Sequence, residues 1–351
     1  MPITSLRLQQ FRSYADATFQ FDAGVNIIVG PNASGKTNLL EAVLVAARGQ
    51  SYRARDNELV MIDKPWARLD AVADGDPRVV KLETEPVFKK SFIINDQPLT
   101  RLSLPKTWPA VVFEPNHLLL LHGSPELRRS YLDDVLEETV PGYAATRRHY
   151  RRVLAQRNAL LKRGLAVAER QIFPWNIRLS ELAGQIVRER QKLVERLNQS
   201  VETIYDSIAA QPAKVSLEYD TQWHYEQYET HLVQRLETHL QTDIERGFTG
   251  AGPHRDDLTV WLNHHPAAST ASRGEVRSLV LSLKMLESAS LSEARGVPPI
   301  LLFDDVFSEL DISRRRSLVQ YLTQYQTFIT TTDADVVKKF FAGSAKLVKL
   351  G

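Results

Sequence analysis

The sequence predicts an α/β fold: a mixed sheet built around a phosphate-binding loop, an antiparallel β-lobe, and an inserted lobe that is mainly helical. Three observations carry that reading. A buried-strand run, Val25 to Val29, leads into Gly30-Pro31-Asn32-Ala33-Ser34-Gly35-Lys36-Thr37 and then into helix formers beginning at Asn38. Near the other end of the chain, Pro299-Ile300-Leu301-Leu302-Phe303 is an apolar run closed by Asp304-Asp305. Between the two, residues 126 to about 210 read as strongly helical.

The bulk composition bounds the answer. A length of 351 residues suits one large α/β domain plus a lobe, and 43% hydrophobic with 25% charged residues is ordinary for a soluble globular chain. The net charge is +2, so any nucleic-acid surface must be a local patch. Cysteine is absent, which excludes a disulfide framework, a thiol nucleophile and a thiolate metal site, and fits a reducing cytoplasm. Met1 to Leu6 lacks the plan of a signal peptide. Apolar runs such as Leu118 to Leu121 fall far short of the roughly 20 residues that cross a bilayer. A cytoplasmic protein with no membrane partner is expected.

Residues 3 to 29 alternate in short bursts (Ile3, Leu6, Leu8; Ala17, Phe19, Phe21), predicting two or three strands before the loop. Residues 67 to 99 read as a β-meander, with a turn at Gly75-Asp76-Pro77 and another at Asn95-Asp96. Val111-Val112-Phe113 is a short buried strand ending at Glu114-Pro115-Asn116. Two long helices broken near Phe173-Pro174 follow, then a helix at 228 to 246 and a strand at 258 to 262. The expected division is a phosphate-loop domain of residues 1–124 and 250–351 with an inserted helical arm of 125–249.

The loop fits G-x-x-x-x-G-K-[ST] in the strand–loop–helix setting that gives the pattern meaning. Glycines 30 and 35 let backbone N–H groups turn inward around a polyphosphate, and the helix dipole adds to that field. Lys36 supplies a point charge for the β- and γ-phosphates, and Thr37 a hydroxyl for Mg²⁺. Pro31, Asn32, Ala33, Ser34 and Asn38 complete the expected nucleotide contacts. On the second strand, Asp304 is the expected Mg²⁺ carboxylate and Asp305 the group that orients or deprotonates water. In phosphate-loop enzymes that strand lies beside the loop. Ala271-Ser272-Arg273-Gly274-Glu275 opens another helix and makes a further anion-binding turn, although Ser and Gly start many helices.

The order of phosphate loop, long insertion, Ser-x-Gly-Glu helix, Asp-Asp strand and Ser308-Glu309-Leu310-Asp311 resembles an ABC-type ATPase head. In that class two heads pack head to tail, and the Ser272, Gly274 and Glu275 turn of one would close on the triphosphate of the other. Local strings narrow the resemblance. Leu8-Gln9-Gln10-Phe11-Arg12-Ser13-Tyr14, Gly35 to Ala42, Gly123 to Arg129, Gln156-Arg157-Asn158, Gly252-Pro253-His254-Arg255-Asp256-Asp257 and Asp304 to Asp311 are similar to the RecF family, relatives of the SMC and Rad50 heads. That similarity runs from end to end.

The resemblance implies an ATP- and Mg²⁺-dependent homodimer on gapped DNA or single-strand/double-strand junctions. It also implies RecO- and RecR-type mediators, loading of RecA, and weak DNA-stimulated ATP hydrolysis. Asp305, where many ABC relatives carry Glu, implies slow turnover. The usual switch glutamine and histidine are missing, with Glu114 and Asn116 near the first position and Thr332 near the second. The basic stretch 147 to 163, led by Arg147, Arg148, Arg151 and Arg152, reads as a solvated helix face or a DNA surface, and the resemblance favours DNA. Tyr52, Arg53 and Arg55 are further DNA candidates, and Arg12 is either a nucleotide- or DNA-side residue or a packed stem. Polar turn chemistry is expected of His254, Asp256 and Asp257. Two other readings are a transporter motor ATPase, and a nucleotide kinase or GTPase.

Overall fold

The computed structural model describes residues 2–164, 171–341 and 344–350; the side chains of Ser308, Glu309, Ala334 and Val336 lie outside that description, as does the helix expected across 165–170. The chain divides into two compact units, Met1–His117 with Ser207–Gln211 and Leu283–Gly351, and Leu118–Asp206 with Pro212–Ser282.

The first unit holds two sheets. Five parallel strands run in the order Lys346–Lys349, Val25–Val29, Thr327–Thr331, Ile300–Phe303, Ala110–Phe113. Ile300–Phe303 is a continuous apolar run, as a strand covered on both faces requires, and Val25–Val29 departs from one only at the buried Asn26. Six antiparallel strands run in the order Tyr14–Gln20, Ile3–Phe11, Trp66–Ala73, Asp76–Glu83, Lys89–Ile94, Gln97–Leu99. Here Trp66–Ala73 alternates buried and half-exposed positions, since one face of the sheet packs and the other does not.

The helix that follows the loop, Lys36–Arg48, is buried nearly all round and shares one core with both sheets: Leu40, Val43 and Ala47 cluster with Leu6, Leu8 and Phe11 and with Ile28, Leu302 and Phe328. Its last carbonyls do not go unmet. Arg78, itself 3% exposed, donates through Nη1 to the oxygens of Ala46 (2.8 Å) and Ala47 (2.9 Å), with its guanidinium 3.8 Å over the Trp108 ring.

The second unit contains the helices Pro125–Thr139, Tyr143–Leu161, Phe173–Asn198 and Tyr228–Thr238, and a three-stranded antiparallel sheet ordered His265–Pro266, Asp257–Leu262, Val215–Asp220. The chain turns at Pro141-Gly142, where Gly142 adopts φ 87°, so the helical stretch breaks earlier than expected. Pro174 stands in the first turn of a helix rather than interrupting one, the position where a missing N–H costs nothing. The compact unit reaches past the expected 125–249 arm to Ser282. The reason is pairing: Asp257–Leu262 lies along Val215–Asp220, a strand whose alternation the helical reading passed over.

Candidate nucleotide site

The loop takes its shape from two glycines. A Cβ on Gly30 would sit 2.5 Å from Ser34 Oγ and 2.7 Å from the Leu350 carbonyl oxygen. Gly35 adopts φ 96°, a left-handed conformation that side chains resist, and its carbonyl accepts from Tyr14 Oη at 3.0 Å. Ala33 shares that region at φ 65°, so successive backbone amides can face one hollow. Lys36 is 5% exposed, and its ammonium donates to the carbonyls of Gly30 and Pro31, each at 2.9 Å. Ser34 Oγ is buried without a hydrogen-bond partner. A buried ammonium and an unmatched hydroxyl on one loop fit the oxygens of a polyphosphate.

Thr37 Oγ1 donates to Asp304 Oδ1 at 2.9 Å. The acid strand thus ends beside the loop, as expected, although it does not pair with the loop strand. Thr327–Thr331 runs between them, parallel to both. That strand brings Thr330, whose hydroxyl donates to Asp304 Oδ1 (3.1 Å) and accepts from the Asp305 N–H (2.9 Å). Tyr52 Oη donates to Asp304 Oδ2 at 2.9 Å. Asp304 is thereby oriented by three hydroxyls, two of which (Tyr52 and Thr330) sequence patterns did not assign to it.

The hydroxyl of Thr37 and the carboxylate of Asp304 form a hard-oxygen pair suited to Mg²⁺, which keeps waters and substrate oxygens for its other positions. Among the described residues no group of three or more His, Cys, Asp or Glu side chains could hold a metal ion.

Asp305 follows at φ 56°, a left-handed position that Asp tolerates better than most residues. Burial raises the Asp305 pKa, the charge of Asp304 adds to the rise, and Lys36 works against it. Glu114 ends the neighbouring strand, where the Phe113 carbonyl accepts from Asp304 N at 2.9 Å. Its pKa also rises, through burial first and then Asp304. Asn116 and Thr332 are exposed, and Thr332 lies one residue beyond the strand end.

Several of the expected residues also make contacts within the chain. Asn38 donates to Ser13 Oγ (2.9 Å) and accepts from Arg53 Nη2 (2.6 Å). Arg12 forks onto Glu41 at 2.8 and 2.9 Å, joined by Ser51 and Arg53, so Arg53 braces the loop helix as well as facing outward. The Glu41 side chain is fully buried. Burial alone would raise its pKa, but the bonds from Arg12 and Ser51 and the charges of Arg12 and Arg53 hold it below the usual range.

In the second unit, Ser272 caps the helix Arg273–Arg295. Its N–H donates to Glu275 Oε2 (2.7 Å) and its Oγ accepts from the Glu275 N–H (3.3 Å). This reciprocal capping explains why Ser and Glu stand three apart there. Ser272 is exposed and Gly274 half-buried.

The basic stretch separates into two kinds of arginine. Arg147 departs from the expected surface role, because it pairs with Asp133 (2.9 Å), Glu137 (2.8 Å) and Asp134 (3.7 Å). Arg157 is fully buried on Asp243 and Asn176. Arg148, Arg151 and Arg152 are exposed on one helix.

A parallel sheet with a phosphate loop and an acidic strand end, sharing a core with an antiparallel lobe, defines an ATPase head of the ABC and SMC kind. Residues 2–349 match the family described as RecF/RecN/SMC N terminal domain. A DNA replication and repair protein RecF of Heliobacterium modesticaldum is 37% identical over 345 residues, covering 95% of this chain and 92% of that protein. The Synechococcus protein of the same description is 35% identical over 95% of this chain and 91% of its own. The chain belongs to the RecF family of DNA replication and repair proteins, an ATP-binding family of SMC-like ATPases.

The solved structure described as the recombination mediator protein RecF-ATPrS in the RecFOR pathway matches at TM-score 0.86, with 28% identity, over 95% of this chain and 93% of that one. A RecF-ATP structure matches at 0.83. An Smc head bound to the C-winged helix domain of ScpA shares the fold at TM-score 0.54 and 16% identity. Nothing in these likenesses supports the transporter motor. No helix among the described residues is long and apolar enough to cross a membrane.

Proposed function

We propose that this chain is an ATP-dependent DNA-binding protein of recombinational repair and replication restart. In this reading it acts in the cytoplasm, dimerises on ATP at gapped or single-strand/double-strand DNA, and helps mediators of the RecO and RecR type to load RecA. The observation that carries the reading is the Thr37–Asp304 contact beside Lys36, on a chain related to a RecF protein over 95% of its length.

Lys36 would turn from the Gly30 and Pro31 carbonyls to the β- and γ-phosphates, and the amides of residues 30 to 37 would hold the phosphate chain. Thr37 and Asp304 would hold Mg²⁺, which when bound neutralises charge on the transferring phosphate. Asp305 would orient the attacking water. Its raised pKa favours accepting a proton, whereas its short side chain limits reach, so hydrolysis is slow and ATP serves as a clamp. Ser272, Gly274 and Glu275 would close on the triphosphate held by a second copy. Arg148, Arg151 and Arg152 would meet DNA phosphates without reading sequence.

Fluorescence anisotropy on gapped duplex tests this. ATP should tighten binding relative to ADP, and Lys36→Ala should abolish that difference. Equal affinity in both nucleotides would overturn the reading.

A further inference from the structure

The helical unit carries a half-open cavity of about 290 Å³ that the nucleotide reading does not use. Its walls carry four guanidinium groups, from Arg129, Arg147, Arg151 and Arg190, and two carboxylates, Asp133 and Glu126. Glu126 is exposed. Asp133 is 4% exposed and already matched: Arg147 Nε and Arg190 Nε each lie 2.9 Å from it, and Tyr143 Oη donates at 2.6 Å. Arg147 is matched from outside the cavity by Glu137 and Asp134, so the wall's unspent donors lie on Arg129 and Arg151.

The remaining polar wall is neutral. His254 Nε2 lies 3.1 Å from the Thr249 carbonyl oxygen, so the ring carries its proton there and Nδ1 accepts from Tyr150 Oη at 2.6 Å. Arg129 uses one nitrogen, on the Asp256 carbonyl at 2.7 Å, and keeps further N–H donors. Arg151 has no hydrogen-bond or ion-pair partner among the described residues. With Arg147 and Arg190 fixed on Asp133, the spare donors of Arg129 and Arg151 match the oxygens of a tetrahedral anion. An apolar occupant would leave those charges desolvated, and a cation would be repelled. The volume lies at the small end of ligand pockets and suits one phosphate with at most its attached sugar.

We propose that this cavity is a second phosphate site, in the other unit from the Lys36 loop, which takes a single phosphate group from a nucleic-acid strand or from free solution. The Gly252 to Asp257 turn gains a role from this: Pro253 and His254 line the cavity, and Asp256 supplies the carbonyl that holds Arg129. The site stands without the dimer reading, since its residues all belong to one copy of the chain.

The test uses full-length Lys36→Ala protein, which weakens phosphate binding at the loop, labelled with ¹⁵N-histidine. The His254 ring resonance is followed at constant ionic strength against inorganic phosphate, a 5′-phosphorylated oligonucleotide and its 5′-hydroxyl counterpart. A saturable shift with inorganic phosphate alone identifies a free anion. A shift with the phosphorylated strand alone identifies a terminal phosphate, and a shift with both strands the nucleic-acid backbone. In each case Arg151→Ala, a change at an exposed residue, should weaken the apparent affinity at least about tenfold. Arg129→Ala provides a second variant with the same expectation. No saturable shift with any probe, or one that Arg151→Ala leaves unchanged, overturns the proposal.

Discussion

Thr37 Oγ1 and Asp304 Oδ1 lie 2.9 Å apart although 267 residues separate them in the chain. Each ends or begins a short element of the parallel sheet region, and the strand Thr327–Thr331 spaces the two so that a hydroxyl and a carboxylate meet at one edge. Asp304→Asn keeps the shape and removes the charge. ATP should still bind, while phosphate release should fall at least about 100-fold, the scale of losing one electrostatic partner of the transferring group. A nucleotide-binding assay beside a phosphate-release assay checks both halves.

Tyr52 acts on the same carboxylate from the other side, through Asp304 Oδ2. It is a positioning residue. Tyr52→Phe should raise the Mg²⁺ concentration needed for half-maximal ATP hydrolysis by about tenfold, within the range of outer-shell substitutions, with turnover at saturating Mg²⁺ less affected. An Mg²⁺ titration at fixed ATP separates this from a loss of packing, which would lower both.

Arg12 and Glu41 anchor the loop helix. Removing Arg12 leaves a buried carboxylate with Ser51 and Arg53 alone, so Arg12→Ala should cost about 2 kcal/mol at neutral pH. Because the native Glu41 pKa is depressed, the stability it contributes is full above the usual glutamate range and is lost as pH falls through the native value. The gap between wild type and variant in urea melts should therefore narrow in acid.

Asp256 runs the other way. Burial, against the bond from Tyr219 and the charge of Arg190, pushes its pKa up to about 6. A raised native pKa gives stability that is complete below the unfolded value and lost as pH rises toward 6. Asp256→Asn should flatten that part of the stability–pH curve between pH 4 and about 6, read as the difference between the two proteins in thermal melts.

The basic helix offers a contrast within six residues. Charge reversal of exposed Arg148 and Arg152 should weaken DNA binding and reduce the salt slope by about one unit per lost phosphate contact. Arg147→Glu should instead destabilise the helical unit, because it places a fourth carboxylate among Asp133, Asp134 and Glu137. Salt-dependent anisotropy and circular dichroism on the same variants distinguish the two.

The loop and the acidic strand were legible because contiguous residues carry them: the spacing of Gly30, Gly35, Lys36 and Thr37 is itself the chemistry. Tyr52 and Thr330 were not, since each reaches Asp304 from a separate element and neither stands in a pattern that names its partner. Arg147 was readable in principle. It falls on the stripe of Tyr143, Tyr150, Val153, Arg157, Leu160 and Leu161 that the helix buries, whereas Arg148 and Arg152 fall off it. The strand Val215–Asp220 alternates cleanly but stands alone in sequence. Only pairing with Asp257–Leu262 reveals why that segment belongs with the helices.

Sedimentation velocity tests most directly whether the nucleotide site is completed by a second copy. With ATP, Mg²⁺ and gapped DNA, the wild-type chain should bind as a dimer, and Ser272→Arg should keep ATP affinity yet sediment as a monomer. A wild-type chain that remains monomeric at saturating ATP on gapped DNA, or a Ser272→Arg chain that dimerises like wild type, would contradict the account.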